Sequence, residues 1–196
     1  MTRILRARMT PLARLLLVVA ALGLALAATG CGNKEDVVTQ ADTEGIYVDV
    51  GELAYQVQIS RALNPSDPED RTYLAGLPPD RRELAPDETW FGVFVRVENT
   101  GEEARPAAVD FQIEDTAEQI YRPVPLADTN PFRYEARTIA PDEAIPEQDT
   151  AAATGPIEGS LLLFKVKTFS LQNRPLELHI QGPSVPQETA TVDLDV

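Results

Sequence analysis

The chain has 196 residues, 31 of them acidic and 17 basic, with a formal charge of −14 and a single His and a single Cys. Nucleic-acid phosphates demand Lys/Arg-rich surfaces, so this balance excludes a nucleic-acid binder. It also argues against adhesion of the domain to anionic lipid headgroups. One Cys excludes a disulfide within the chain.

Arg3, Arg6, Arg8 and Arg14 precede an apolar run from Leu15 to Ala28, and the first thirty residues contain no Asp or Glu. A positive leader, an apolar stretch and a small-residue end make a secretory signal peptide. The sixteen residues Leu15–Gly30 span roughly 24 Å as a helix, short of the ~30 Å hydrocarbon core. The run therefore reads as a signal helix rather than a permanent span. Ala28-Thr29-Gly30-Cys31 resembles the lipobox of bacterial lipoproteins, although Leu usually stands where Ala28 stands here. That resemblance implies diacylglycerol on the Cys31 thiol and cleavage between Gly30 and Cys31. More than one acyl chain anchors a protein stably. The alternative is an ordinary cleaved signal followed by a free Cys.

Residues 1–30 are thus expected to be removed, leaving 166 residues with a formal charge of −18. That length suffices for one domain with a sizeable core. The charge is read first as solubility and second as a liking for divalent cations or a basic partner. Residues 31–44, the lipidated Cys31 and then GNKEDVVTQADTE, read as a disordered polar tether.

The domain is expected over residues 45–196. Ile46, Val48 and Val50 alternate with polar residues, and so do Leu53, Tyr55, Val57 and Ile59 after Gly51. Period-2 patterns predict half-buried strands, either as a pair or as one long bulged strand. Asn64–Asp87 holds Pro65, Pro68, Pro78, Pro79 and Pro86, which exclude regular helix or a central strand. Its Asp67, Glu69 and Asp70 are oxygen ligands of the kind Ca²⁺ takes, but at spacings unlike an EF-hand, so the stretch reads first as a solvated loop. Tyr73, Leu74 and Leu77 are expected to pin this loop to the domain.

Thr89–Asn99 is the strongest predicted strand. Phe91, Val93, Val95 and Val97 share a wholly apolar face, while Trp90, Gly92, Phe94 and Arg96 share the other, as in a central strand covered on both sides. Asn99-Thr100-Gly101 predicts a turn. Val109, Phe111 and Ile113 predict a half-buried strand, and Ile120–Val124 its hairpin partner. Residues 125–159 are again long and Pro-rich, with a turn at Ile139–Glu143 and one helical turn at Ala151–Ala153. Long loops of this kind are where a partner site is sought, with 64–87 as the second place. Ser160–Ser170 predicts a second strong strand. Leu176, Leu178 and Ile180 predict another, and Val192, Leu194 and Val196 a closing one.

Seven to nine strands without an amphipathic helix fit an all-β, immunoglobulin-like antiparallel β-sandwich. The strand ending in Asn99-Thr100-Gly101, the run Phe111–Asp115 leading to Tyr121, and the later Leu161–Phe164 and Leu176–Leu178 carry a family resemblance across about Gly45–Gly182. They resemble the exported immunoglobulin-like domain family of unknown function, which includes many bacterial lipoproteins and a secreted mycobacterial immunoprotective antigen. The resemblance implies export and this fold. It implies no chemistry.

No catalytic constellation stands out. His179 is expected to face solvent beside Glu177 and Gln181, and Ser160 opens a buried strand, so no nucleophile–base pair is evident. One His cannot supply a zinc site. Both Met residues, Met1 and Met9, fall in the leader, which removes a copper(I) set. Trp90, Tyr73, Phe132 and Tyr134 are the few aromatics for a sugar cleft. The expected function is a non-catalytic accessory domain on the extracytoplasmic face of the cell membrane, acting through contacts with an envelope protein. A Ca²⁺ or small cationic ligand module is the alternative, and a hydrolase with an unrecognised site the residual one.

Overall fold

The structure is a computed structural model and describes residues 37–195. The signal run, the cleavage point, Cys31 and Val196 lie outside the described residues. The chain enters through β1 (Gln40–Ala41) and continues with β2 (Tyr47–Val50), β3 (Leu53–Leu63), β4 (Glu88–Glu98), β5 (Arg105–Pro106) and β6 (Asp110–Glu114). Then come β7 (Ile120–Tyr121), β8 (Thr138–Ile139), β9 (Ala144–Ile145), β10 (Ser160–Lys167), β11 (Leu176–Gln181) and β12 (Thr189–Leu194). Two single-turn helices, α1 (Asp70–Tyr73) and α2 (Ala151–Thr154), sit in the long loops.

The strands form an all-β sandwich. One sheet has the order β1-β12-β11-β6-β7; the other runs β10-β4-β3-β2, with β9 added to the end of β4. All pairs within the two sheets are antiparallel except β1 on β12. That exception corrects the tether boundary. Residues 40–41 are strand, and the Ala41 side chain is buried. Thr191 N–H donates to Thr39 O at 2.9 Å and Asp49 N–H to Val38 O at 2.6 Å. The segment is polar in composition because its contribution is backbone pairing at a sheet edge, which leaves no hydropathy signal.

Between β2 and β3 the two open alternatives resolve into a hairpin. Gly51 and Glu52 both have positive φ, +63° and +61°, between the paired Val50 and Leu53. This is the two-residue primed turn whose twist matches the strands. The bulge lies further on, where the β3–β4 register shifts between Val57 and Ile59. It corrects the expected face of Ile59, which is 36% exposed. Ser60 takes the inward place opposite Val93, and Leu63 arrives opposite Trp90.

The inner faces close one core in which Tyr55, Phe91, Val93, Phe111, Leu178 and Val192 are representative. A second core lies on the outer face of β4 and β10. Leu63, Tyr73, Leu77, Trp90, Phe94, Val124, Leu161 and Leu163 form it, with Leu126 and Phe132 packed against it. The loops 64–87 and 123–134 are therefore a third layer. Tyr73 stands edge-on between Phe94 and Phe132, with centroids at 5.0 and 4.8 Å. Arg61 lies over the same ring at 5.9 Å.

Polar side chains hold this layer. Asn130 is buried and donates from Nδ2 to Tyr73 O (2.9 Å) and Ala75 O (2.7 Å), while its Oδ1 accepts from Phe132 N–H. One side chain thereby joins the two loops. The buried Asp70 carboxylate accepts from Arg61 and from Asn64 N–H. Burial pushes the Asp70 carboxyl up, but these hydrogen bonds and the Arg61 charge outweigh it and hold it below the usual value.

Two outcomes follow from this layer. Phe94→Ala opens a cavity between β4 and Tyr73, and denaturant unfolding should show a loss of about 3–5 kcal/mol, the range for buried Phe truncations. The second concerns acid. A carboxyl with a depressed value contributes stability that is complete above its unfolded-state value of about 4 and is lost as pH falls through the folded value. Asp70→Asn should therefore be less stable at pH 7, by about 1–3 kcal/mol, and should lose stability less steeply from pH 5 to pH 3. Parallel losses in the two proteins would mean that Asp70 titrates alike folded and unfolded.

Candidate functional site

Strand β10 is the edge of its sheet, and its outer backbone groups need partners. The segment 123–134 provides them. Val124 N–H donates to Leu163 O (2.6 Å), Tyr134 N–H donates to Leu161 O (2.9 Å), and Leu161 N–H donates to Phe132 O (2.6 Å). Between these contacts the chain bows away from the edge, and Asn130 fixes the bow. Two concavities result, one on each side of Arg133.

The first is an apolar groove of about 280 Å³, walled by Val109, Phe111, Pro123, Pro125, Leu126 and Tyr134 and floored by Leu161–Leu163. Its far lip is held rigidly. Tyr55 Oη accepts from Ala108 N–H at 2.8 Å, and Tyr134 Oη donates to Ala108 O at 2.9 Å. Burial pushes the Tyr55 hydroxyl up to about 12, and it raises Tyr134 as well. Both therefore stay neutral and keep their roles at any ordinary pH. Val109, expected inward, instead stands 74% exposed at the rim, because β6 begins at Asp110.

The second concavity is a polar cleft of about 260 Å³ lined by Asp128, Arg133, Glu135, Arg137, Glu147 and Ser160 among others. Arg133 pairs with Glu135 at 2.7 Å and Asp128 at 3.5 Å. Arg137 pairs with Glu143 at 2.7 Å and also donates to Ala144 O at 2.9 Å. The Arg137 hydrogen bond, helped by Ala140 N–H, holds the Glu143 carboxyl below its usual value. These carboxylates are exposed, the Asp128 side chain at 95% and Glu135 at 65%, whereas the Arg133 side chain is 21% exposed.

Of the residues singled out from the sequence, Ser160 and Tyr134 border these concavities and the others fall elsewhere. Ser160 is buried at the start of β10 and pairs with Val95. His179 lies on the outer face of the opposite sheet, where Nδ1 meets Thr191 Oγ1 at 3.3 Å. Its Nε2 is 3.5 Å from both Glu114 and Glu177, is buried and has no hydrogen-bond partner. His179 is thus half-buried, a correction to the expectation that it faces solvent: the flanking glutamates fold over its ring. Ser160 and His179 do not meet. Asp67 and Glu69 are engaged locally. Asp67 Oδ1 accepts from Glu69 N–H and Asp70 N–H, and Glu69 accepts from Tyr73 Oη at 3.3 Å. With Asp70 turned onto Arg61, the three carboxylates do not converge, and among the described residues no group of His, Cys, Asp or Glu is arranged to hold a metal. Trp90 is buried beneath Lys165, whose Nζ is 5.2 Å from the ring. Phe132 and Tyr134 pack into the two cores. Arg133 and Arg137 were missed. Their signal was two guanidinium groups four residues apart in a strongly acidic chain.

No family model and no curated protein sequence matches the chain. Similar solved structures include ycdA, a candidate lipoprotein from Bacillus subtilis subsp. subtilis str. 168, with 16% identity over 75% of this chain and a TM-score of 0.45. The chain spans 38% of the ycdA chain. The yjhA protein of Bacillus subtilis is 12% identical over 79% of this chain and 99% of its own, with a TM-score of 0.44. An uncharacterized β-sandwich protein from Clostridium difficile 630 is 9% identical over 84% of this chain and 99% of its own, also with a TM-score of 0.44.

Proposed function

We propose that this protein is a lipid-anchored, non-catalytic binding domain on the extracytoplasmic face of the cell membrane, which grips an envelope protein partner at Arg133. The observation that carries the reading is the shared side chain. Arg133 borders an apolar groove on one side and a polar cleft on the other. A protein segment offering an apolar side chain next to a carboxylate matches that pair of surfaces. The groove takes the apolar group, and its burial contributes about 1.5–3 kcal/mol for a Leu- or Phe-sized side chain. Arg133 takes the carboxylate through its planar fork of donors. Exchanging Asp128 or Glu135 for the partner's carboxylate costs little, since exposed pairs contribute about 0–1 kcal/mol. Cys31, acylated as its sequence context implies, holds the domain where such a partner resides.

A photo-crosslinking residue at Pro125, on the groove wall, should yield a light-dependent adduct in intact membranes. The same residue at Ala117, in the exposed turn after β6, should not. Arg133→Ala should abolish the adduct with little change in melting temperature. Monomer alone at Pro125, or an adduct indifferent to Arg133→Ala, overturns the reading.

A further inference from the structure

The two ends of the sandwich differ in a way that the chain entry makes meaningful. Val38 lies against Asp49 near the close of β2, and Thr39 against Thr191 near the start of β12. The Gly51–Glu52 turn, the β4–β5 connection at 99–104 and the β11–β12 hairpin at 182–188 are at that same end, as the strand pairings require. Glu188 confirms the neighbourhood by accepting from Gly51 N–H at 2.7 Å. The turn at 115–119, the loop at 168–175 and residues 42–46 are at the opposite end.

Large apolar side chains that are more than 70% exposed, among the described residues, all belong to the entry end: Val185 at 97%, Val109 at 74% and Val37 at 72%. Val185 tips the hairpin segment Gly182-Pro183-Ser184-Val185-Pro186-Gln187, which carries no charge. Glu52, Glu103 and Glu188 beside it are occupied, while Glu102 of the 99–104 connection stands exposed. Arg105 pairs with Glu52 at 2.5 Å and with Glu103 at 3.0 Å, and Glu188 is held by Gly51.

We propose that this entry end faces the bilayer and that the Val185 hairpin tip rests in the lipid interface. The inference builds on the acylated Cys31 of the reading above. Six residue steps separate Cys31 from Val37, and covalent geometry caps their reach at about 20 Å, whatever their conformation. The eleven residues of β3 carry the domain about 33 Å away from the entry end. The tether is therefore too short for the domain to stand inverted, with the opposite end on the membrane and the entry end away from it. An uncharged, apolar tip held at this height suits the zwitterionic headgroup region, where small apolar groups are buried shallowly. The exposed Glu102 and Glu103 of the same end repel an anionic surface.

The test exploits the absence of any other Cys in the chain. With the Cys31 thiol alkylated, a thiol-reactive fluorophore marks a single introduced site. The full chain carrying Val185→Cys or Ala117→Cys is purified from membranes, its acylation read by mass, and reconstituted into phosphatidylcholine vesicles containing a brominated lipid. The expected result is a loss of emission at position 185 that is absent at position 117, and a smaller loss at 185 in phosphatidylglycerol vesicles. Equal quenching at both positions, with acylation confirmed, overturns the orientation and leaves the anchor standing. Quenching at 185 that is stronger in phosphatidylglycerol overturns the apolar contact. A mature chain lacking the diacylglycerol mass overturns the anchor, and the orientation with it.

Discussion

Strand β4 is apolar on both faces, and the rest of the structure answers to that constraint. A two-layer sandwich buries one face of each sheet. Phe91, Val93, Val95 and Val97 use that face. Trp90 and Phe94 point the other way, and with Leu161 and Leu163 of β10 they present a second apolar surface. Each such side chain contributes about 1.5–3 kcal/mol when removed from water. Left bare, they would make a patch of the kind that drives association. The long loops 64–87 and 123–134 cover them; their prolines keep them from running as regular strands, and 123–134 meets the sheet only along the β10 edge, at Val124, Phe132 and Tyr134.

Covering a sheet with irregular chain raises a second problem, since buried backbone groups must find partners outside regular ladders. The protein solves it with a few buried polar side chains at the crossing points. Asn130 serves two carbonyls of one loop and an N–H of the other. Asn99 donates to Glu103 O and Ile139 O, which ties the β4–β5 turn to β8. Asp115 accepts from Ala117 N–H and Gln119 N–H in the β6–β7 turn. Asp70 plays the same part beneath Arg61. A domain with no disulfide thus keeps long loops ordered by hydrogen bonding, and the surface above them is preorganised. A partner meeting a rigid groove does not have to spend binding energy on ordering it.

The strands were legible because alternation is a local signal. β4 and β11 lie within one residue of their expected bounds, β10 starts at the expected Ser160 and ends three residues early at Lys167, and the double-sided burial of Trp90–Asn99 was readable from its composition. The bulge in β3 was not. It depends on how Val57 and Ile59 register against β4, and the run of alternating residues continues through it without interruption. β1 escaped for a related reason: two residues of edge backbone carry no pattern. The loops could be marked as places to search, but not resolved. Asn130 and Arg133 act through partners distant in sequence or through the course of the backbone, which composition does not encode. The acidic cluster at Asp67–Asp70 offered oxygen ligands by composition alone, at spacings unlike an EF-hand; Arg61, placed beside Asp70 by the shifted register of β3, pairs with the last of these carboxylates, which composition could not show.

That register shift links the core to the surface chemistry. Had β3 continued without the bulge, Ile59 would face inward and Arg61 would follow it into the apolar core, where an unpaired guanidinium is prohibitive. The extra residue reverses the alternation. Leu63 reaches Trp90, and Arg61 emerges on the outer face within reach of Asp70 and over Tyr73. Tyr73 in turn supports Phe132, and Phe132 leads directly into Arg133. One inserted residue in a strand therefore sets the position of a loop on the neighbouring layer, and through it the side chain shared by the groove and the cleft.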